Sequence, residues 1–387
     1  MTETPLLPDD ADHAVLVGRV WRPGVGPCVV TVRNGDLLDI TGRGAPTVRD
    51  LCELPQPVDY VRSAPGECIG TVATIAANSW ETTRDETETY LLAPIDLQAV
   101  KAAGVTFAVS LLERVIEEQA RGDARLAAST RAEITALIGL DLSQLKPGSD
   151  EALRVKQLLI ERGAWSQYLE VGIGPDPEIF TKAQPMSGVG YGAHVGVPPF
   201  SHWNNPEPEV VLICSSDGAV KGATLGNDVN LRDVEGRSAL LLGKAKDNNA
   251  SAALGPFIRL LDQHFTIDDV RGLDIALRIT GQDNFVLDAV SSMRQISRDP
   301  LDLARAACGA HHRYPDGFAL YLGTMFAPVQ DRDGAGRGFT HKQGDRVEIS
   351  TPRLGSLANI VHETTDTAPW TFGAAALMRN LAQRGLI

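Results

Sequence analysis

Two glutamates one residue apart, Glu207 and Glu209, lead straight into the apolar run Val210-Val211-Leu212-Ile213-Cys214, and this juxtaposition restricts the chain more than any other stretch. The run is apolar and β-branched, the composition of a buried strand. Side chains alternate along a strand, so both carboxylates face the same side. Two carboxylates converging at one strand end repel each other unless positive charge lies between them, and a divalent cation is the natural candidate. On spacing alone the pair also reads as a solvated strand edge. Asp228, in Gly226-Asn227-Asp228-Val229-Asn230 after a second strand-like stretch, offers a third oxygen donor. An all-oxygen set suits Mg2+, with Mn2+ or Ca2+ as alternatives, and argues against a thiolate-preferring metal.

The 387 residues, 43% of them hydrophobic, are enough for one large domain and a smaller one. A net charge of −13 opposes nucleic-acid binding, which needs clustered Lys and Arg. The first residues lack the basic and apolar regions of a signal peptide, and no run approaches the ~20 apolar residues of a membrane span. A cytoplasmic protein with no membrane association is expected. Cys28, Cys52, Cys68, Cys214 and Cys308 are odd in number and lack Cys-x-x-Cys spacing, so they read as small apolar residues rather than a disulfide framework or a zinc site.

Taken in order, residues 1–90 read as a small N-terminal β-rich domain, with Asn34-Gly35 as a hairpin turn and a short helix near Thr47 to Leu54. Residues 91–387 read as the catalytic domain. It begins with a strand, a turn and a helix whose apolar face carries Leu111, Leu112, Val115 and Ile116. A helical insertion follows near 120–170, broken at Pro147-Gly148 with Ser149 or Asp150 as N-cap. From Gly172 the chain is rich in Gly and Pro. Beyond Phe257, Phe257 to Phe265 reads as a short amphipathic helix, the next stretch as strands, and Ser292 to Ala307 as helical.

The order Glu207-Pro208-Glu209, then Gly222 to Asp228, Arg232-Asp233, Lys246 and Gly255-Pro256 resembles the fumarylacetoacetate hydrolase superfamily. The likeness covers roughly residues 90 to 362 and is dense from 180 to 260. Within the superfamily, the stretch from Gly226 to Gly236 and that from Ala245 to Pro256 look most like the 2-keto-3-deoxy-pentonate (arabinonate or xylonate) dehydratases. The resemblance implies a mixed α+β fold, a β-rich rolled catalytic core beside the small N-terminal domain. It implies Glu207, Glu209 and Asp228 as metal ligands, and Lys182 in Phe180-Thr181-Lys182 as a group that reaches the active site. Lys246 is implied as an acid or carboxylate-orienting group, and Thr324 and Arg232 as substrate-positioning residues. Met325 stands where relatives carry Pro after that Thr.

In the hydrolases of this superfamily a His and a Glu at the start of the first active-site helix are thought to activate water. Here Ser110 falls at the His position, where it is a candidate substrate-binding residue, and Glu113 remains as a candidate for proton transfer alongside Lys182. Without the imidazole the best-tuned base for water is gone, which favours elimination over hydrolysis. The implied reaction is dehydration of a 2-keto-3-deoxy sugar acid to 2,5-dioxopentanoate through a metal-stabilised enolate. Hydrolysis of a 2,4-dioxo acid and aldolase or decarboxylase chemistry on a 2-oxo acid are the alternatives. A homo-oligomer, dimer or tetramer, is expected.

Overall fold

The computed structural model describes residues 5–138, 145–161, 163 and 165–387. Its strands are β1 (Leu16–Arg22), β2 (Gly26–Arg33), β3 (Asp36–Asp39), β4 (Glu67–Thr71), β5 (Tyr90–Leu92), β6 (Ala99–Gly104), β7 (Glu178–Ala183), β8 (His194–Val197) and β9 (Asn204–Asn205). They continue with β10 (Pro208–Cys214), β11 (Val220–Asp228), β12 (Asn230–Leu231), β13 (Ala252–Leu260), β14 (Asp274–Thr280), β15 (Val286–Ser292), β16 (Phe318–Tyr321), β17 (Arg346–Thr351) and β18 (Gly355–Glu363). Among the described residues, eleven strands form one sheet in the order β4-β3-β2-β1-β13-β11-β10-β16-β6-β7, with β5 on β1. Five more form a second sheet, β15-β14-β17-β18-β8.

Strand β10 lies in the middle of the large sheet and is buried along its whole length. Its alternate residues enter two different cores. Val211 and Ile213 join Val17, Val29, Val100, Ala183 and Leu254, residues from both ends of the sheet that meet only because the sheet is rolled. Val210, Leu212 and Cys214 face outward and pack with Ile275, Leu277 and Val347 of the second sheet. A strand covered on both faces therefore needs the unbroken apolar run that the sequence carries.

The N-terminal hairpins extend this same sheet: Leu16 and Val17 of β1 pair with Arg259 and Ile258 of β13. The boundary expected near residue 90 does not interrupt it. Asn34 and Gly35 both take positive φ, 54° and 82°, as a tight hairpin turn requires. Phe257 to Phe265 is not helical. Phe257 and Ile258 point into opposite cores as part of β13, and the chain then turns where Asp262 accepts from the backbone N–H groups of His264 and Phe265. The helical reading of Ser292 to Ala307 is also corrected, since Asp299 caps a new helix Pro300–Ala307 and Pro300 cannot continue one from before it. In the expected insertion, helices run Ala124–Ile138, Asp150–Glu161 and Gln167–Ile173, while Gly139 to Gln144 lie outside the described residues. No described helix is long and apolar enough to cross a membrane.

Leu212 is 0% exposed and Leu240 is 96% exposed. Leu212→Ala should cost about 2–5 kcal/mol of unfolding free energy, whereas Leu240→Ala should stay within about 0.5 kcal/mol. Urea denaturation of the two variants checks this, and similar losses would contradict the packing described.

Candidate active site and metal centre

Several strand ends meet at one edge of the rolled sheet. Glu207 and Glu209 stand at the start of β10. Asp228 ends the antiparallel β11 and pairs with Ala252 at the start of β13. Strand β16 runs antiparallel to β10 and hands over to Leu322-Gly323-Thr324 at the same edge. Strand β6 is parallel to β16, so the helix Ala108–Gln119 also begins there. Glu207, Glu209 and Asp228 are each 1% exposed, with one carboxylate oxygen of each within 4.8 Å of the others.

Gly323 makes this edge close. Its φ of 103° favours glycine, and a Cβ there would collide with Thr106 Oγ1. In that conformation its N–H donates to Glu209 Oε2 at 2.6 Å. The neighbouring Thr324 hydroxyl lies beside Glu207 and favours its ionised form.

Buried carboxylates at such spacing need partners. Lys246 Nζ donates to Glu207 Oε2 at 2.6 Å and Asp228 Oδ2 at 3.1 Å, and lies 4.0 Å from Glu235. Lys182 Nζ pairs with Asp228 Oδ1 at 2.9 Å and also meets the Lys246 carbonyl at 2.6 Å and Ser251 Oγ at 3.2 Å. Arg114 reaches Glu207, and pairs with Glu117 at 2.6 Å and Glu235 at 3.4 Å. Arg232 Nε lies 3.2 Å from Glu117. Glu178, opposite Gly104 in the β6–β7 ladder, folds its carboxylate into the space a Cβ of Gly104 would fill.

These contacts divide the carboxylates. Burial would raise Glu207, but Arg114 and Lys246 hold it down at about 2. Among the described residues no cation forms an ion pair with Glu209, and Lys246 offsets only part of its repulsion. Burial, with Asp228 and Glu207 beside it, pushes its pKa well above the usual range. Burial likewise raises Glu235 to about 7 despite Arg114 and Lys246, and raises Glu178. Burial would lower Lys246, yet Asp228, Glu207 and Glu235 together keep it firmly protonated, above the ordinary lysine value. For Lys182 burial wins and the pKa falls.

The structure thus brings together Glu207, Glu209, Asp228, Lys182, Lys246 and Thr324. It does not bring in Glu113, whose two oxygens turn away to Arg131 at 3.0 and 2.7 Å. Ser110 Oγ donates to the Phe107 carbonyl of its own helix at 2.9 Å. Arg232 stands one layer back, on Glu117 and on Asn205 at 2.8 Å. Sequence reasoning missed Arg114, Glu117, Glu178 and Glu235. Arg114 and Glu117 share a helix face at i and i+3, one step round from Glu113, and Glu235 closes the same motif as Arg232; both signals were readable. Glu178 carries none, because only the sheet register sets it against Gly104.

Glu117, Glu178, Glu207, Glu209, Asp228 and Glu235 are six carboxylates set against four cations, Arg114, Lys182, Arg232 and Lys246. Acids thus outnumber bases in this cluster, and added positive charge would relieve the repulsion that raises Glu209. Asp228 Oδ1 is buried without a hydrogen-bond donor among the described residues, and the three clustered acids offer only oxygen, so these residues fit a hard ion.

Glu209→Gln should keep the Gly323 hydrogen bond while removing the repelled charge. Without metal this variant should be at least as stable as the parent. Saturating Mg2+ should stabilise the parent by about 2.7 kcal/mol at 100 times Kd and the variant far less. Thermal melts with Mg2+ and with EDTA decide; an equal gain in both proteins would show that the ion binds elsewhere.

No family model matches the chain. Over 194 residues it is 28% identical to a probable 2-keto-3-deoxyxylonate dehydratase of Haloferax volcanii, covering 50% of this chain and 63% of that protein. Over 181 residues it is 31% identical to the 2-dehydro-3-deoxy-D-arabinonate dehydratase of Saccharolobus solfataricus, covering 47% and 57%. The chain therefore spans about three fifths of the length of these relatives. A solved 2-keto-3-deoxy-D-arabinonate dehydratase, complexed with magnesium and 2,5-dioxopentanoate, superposes with a TM-score of 0.60 at 20% identity, over 90% of this chain and 99% of that one. The fumarylacetoacetate hydrolase of Exiguobacterium antarcticum superposes at 0.54 and 14% identity, over 90% and 100%. The chain has the fumarylacetoacetate hydrolase fold, and it is similar to the 2-keto-3-deoxy-pentonate dehydratases in sequence over half its length and in architecture over nine tenths of it.

Proposed function

We propose that the chain dehydrates a 2-keto-3-deoxy pentonate to 2,5-dioxopentanoate. The observation that carries this reading is the buried Glu207, Glu209 and Asp228 cluster, in which no described cation pairs with Glu209, in a fold shared with a dehydratase solved with magnesium and that product. Held by these three carboxylates, Mg2+ supplies positive charge against which negative charge on the substrate 2-oxo oxygen is stabilised.

The protein's own groups then divide the work. Lys246 is kept protonated beside the cluster, so it suits orienting the substrate carboxylate and hydrogen-bonding the departing hydroxyl. Thr324, on the tight turn at Gly323, suits binding the same carboxylate. Lys182 has its N–H groups spent on the Val229 and Lys246 carbonyls and Ser251, with Asp228 beside it as an ion pair, and is better read as a strut than as a base. Glu178 is half-buried, its carboxyl is raised, and it takes part in no side-chain hydrogen bond among the described residues. We assign it the C3 proton. Loss of that proton and of the C4 hydroxyl forms the C3–C4 double bond and one water. Proton shifts from C5 to C3 and from the resulting enol hydroxyl to C4 then give the aldehyde, so the net change is one water.

The elimination reading is favoured over hydrolysis because the helix start carries Ser110, bonded to its own backbone, and none of the three clustered carboxylates bonds a histidine among the described residues. The proposal carries with it a cytoplasmic location and a homo-oligomeric assembly, dimer or tetramer.

Incubation with Mg2+ and 2-keto-3-deoxy pentonates of both C4 configurations should give a product one water lighter, while acylpyruvates stay intact. Glu178→Gln should lower turnover by about 10²–10⁴-fold and leave the Mg2+ stabilisation unchanged. Rapid acylpyruvate cleavage with no turnover of either sugar acid would replace the dehydratase reading with a hydrolase one.

A further inference from the structure

The segment 364–373, which joins β18 to the C-terminal helix Ala374–Gln383, lies beyond the stretch that resembles the superfamily. Its far end is fixed on the N-terminal hairpin. There Asn380 donates to the Val25 carbonyl at 2.7 Å, Arg384 donates to the Pro27 carbonyl at 2.9 Å, and the Phe372 ring meets Trp21 edge-on at 5.3 Å. Between these ends residues 368–371 are exposed and roof a cavity of about 380 Å3, so packing on a core does not fix them. Polar ties do. Thr367 is buried at 6%, and its hydroxyl accepts from Asn249 Nδ2 at 2.8 Å while donating to the Thr364 carbonyl at 3.1 Å. Asn249 Nδ2 also donates to the Ala368 carbonyl at 3.1 Å.

Asn249 belongs to the loop 247–251, which connects the helix Leu242–Lys246 to β13. This loop is strained. Ala250 has a φ of 55°, a region that residues with a Cβ rarely enter and that persists only where the surroundings enforce it. On one side the Gly196 N–H donates to the Ala250 carbonyl at 3.0 Å, and a Cβ on Gly196 would sit 2.2 Å from the Asn249 carbonyl oxygen. On the other, Ser251 Oγ accepts from the Asn248 N–H at 3.1 Å and donates to the Lys246 carbonyl at 2.7 Å. The loop thus closes on Lys246, whose Nζ bridges Glu207 and Asp228.

We propose that Asn249 is a positioning residue: tied to Thr367, it holds the strained loop in shape and so keeps the Lys246 ammonium between Glu207 and Asp228. The C-terminal segment, far from the carboxylates in sequence, then governs how firmly their own cation is seated. The consequence for turnover rests on the dehydratase reading; the seating of Lys246 does not.

Pulse acetylation of the whole metal-free protein with acetic anhydride, read by peptide mass, tests the seating directly. Lys246 is 2% and Lys182 0% exposed, so both should react slowly in the parent. Asn249→Ala and Thr367→Val should each speed acetylation of Lys246 at least tenfold, and the double variant should add little, because both remove the same bond. Thr367→Ser, which keeps the hydroxyl, should match the parent. Lys182 should stay protected throughout, since it is held on β7. The proposal is overturned if Lys246 remains as slow in both single variants as in the parent, or if Lys182 is exposed along with it, which would mean general loosening. With Mg2+ and the sugar acid, Asn249→Ala should also lose at least tenfold in kcat. Fast acetylation of Lys246 in a protein whose parent does not turn over the sugar acid would support the seating and overturn the dehydratase reading alone.

Discussion

Repulsion among carboxylates held out of water is the constraint around which this molecule is arranged. Taking a charge from water into a protein interior costs several kcal/mol unless it is paired. Here Glu207, Glu209 and Asp228 converge at the edge of a rolled sheet, and the surrounding elements supply their partners. The helix Ala108–Gln119 presents Arg114, β7 presents Lys182, and the short helix Leu242–Lys246 presents Lys246. The pairing is uneven. Glu207 and Asp228 are each met by cations, while among the described residues Glu209 receives the Gly323 N–H and no paired cation, and that asymmetry leaves a place for a hard divalent ion.

The scaffold explains how such a cluster is held in place. Strand β10 is locked on both faces, by the rolled core within and the second sheet without, so the direction of Glu209 is set by Val211 and Ile213 two and four residues on. Gly226, where a Cβ would strike the Tyr321 ring, and Gly323 allow the strand ends to approach to hydrogen-bonding distance. Rigid strands position the ligands, and the positively charged residues come from elements packed over the edge. Such preorganisation is what a site needs to stabilise charge that develops during a reaction.

What was legible in the sequence follows from the range of the interactions involved. The buried strand and its paired glutamates could be read because the strand period is local, and the Asn34-Gly35 hairpin because a tight turn demands positive φ at both residues. The short helix at Val48–Glu53 could be read through its Thr47 cap. Phe257 to Phe265 was misread because its spacing of apolar residues serves two cores on opposite faces of a strand as well as one face of a helix. Glu113 and Ser110 were carried over from a motif, yet one helix turn moves Arg114 and Glu117 inward instead, since the face of a helix that meets the site depends on how it packs. Glu178 was invisible because its relation to the cluster exists only through the pairing of β6 with β7.

The central claim is that the three carboxylates form a site for one divalent cation. Crystals grown with Mn2+ and measured at the manganese absorption edge locate the ion directly. The account predicts a single strong anomalous peak bridging Glu207, Glu209 and Asp228, with Lys246 displaced from at least one of its two carboxylate partners. Absence of a peak there, or a peak at another group of acids, would contradict it.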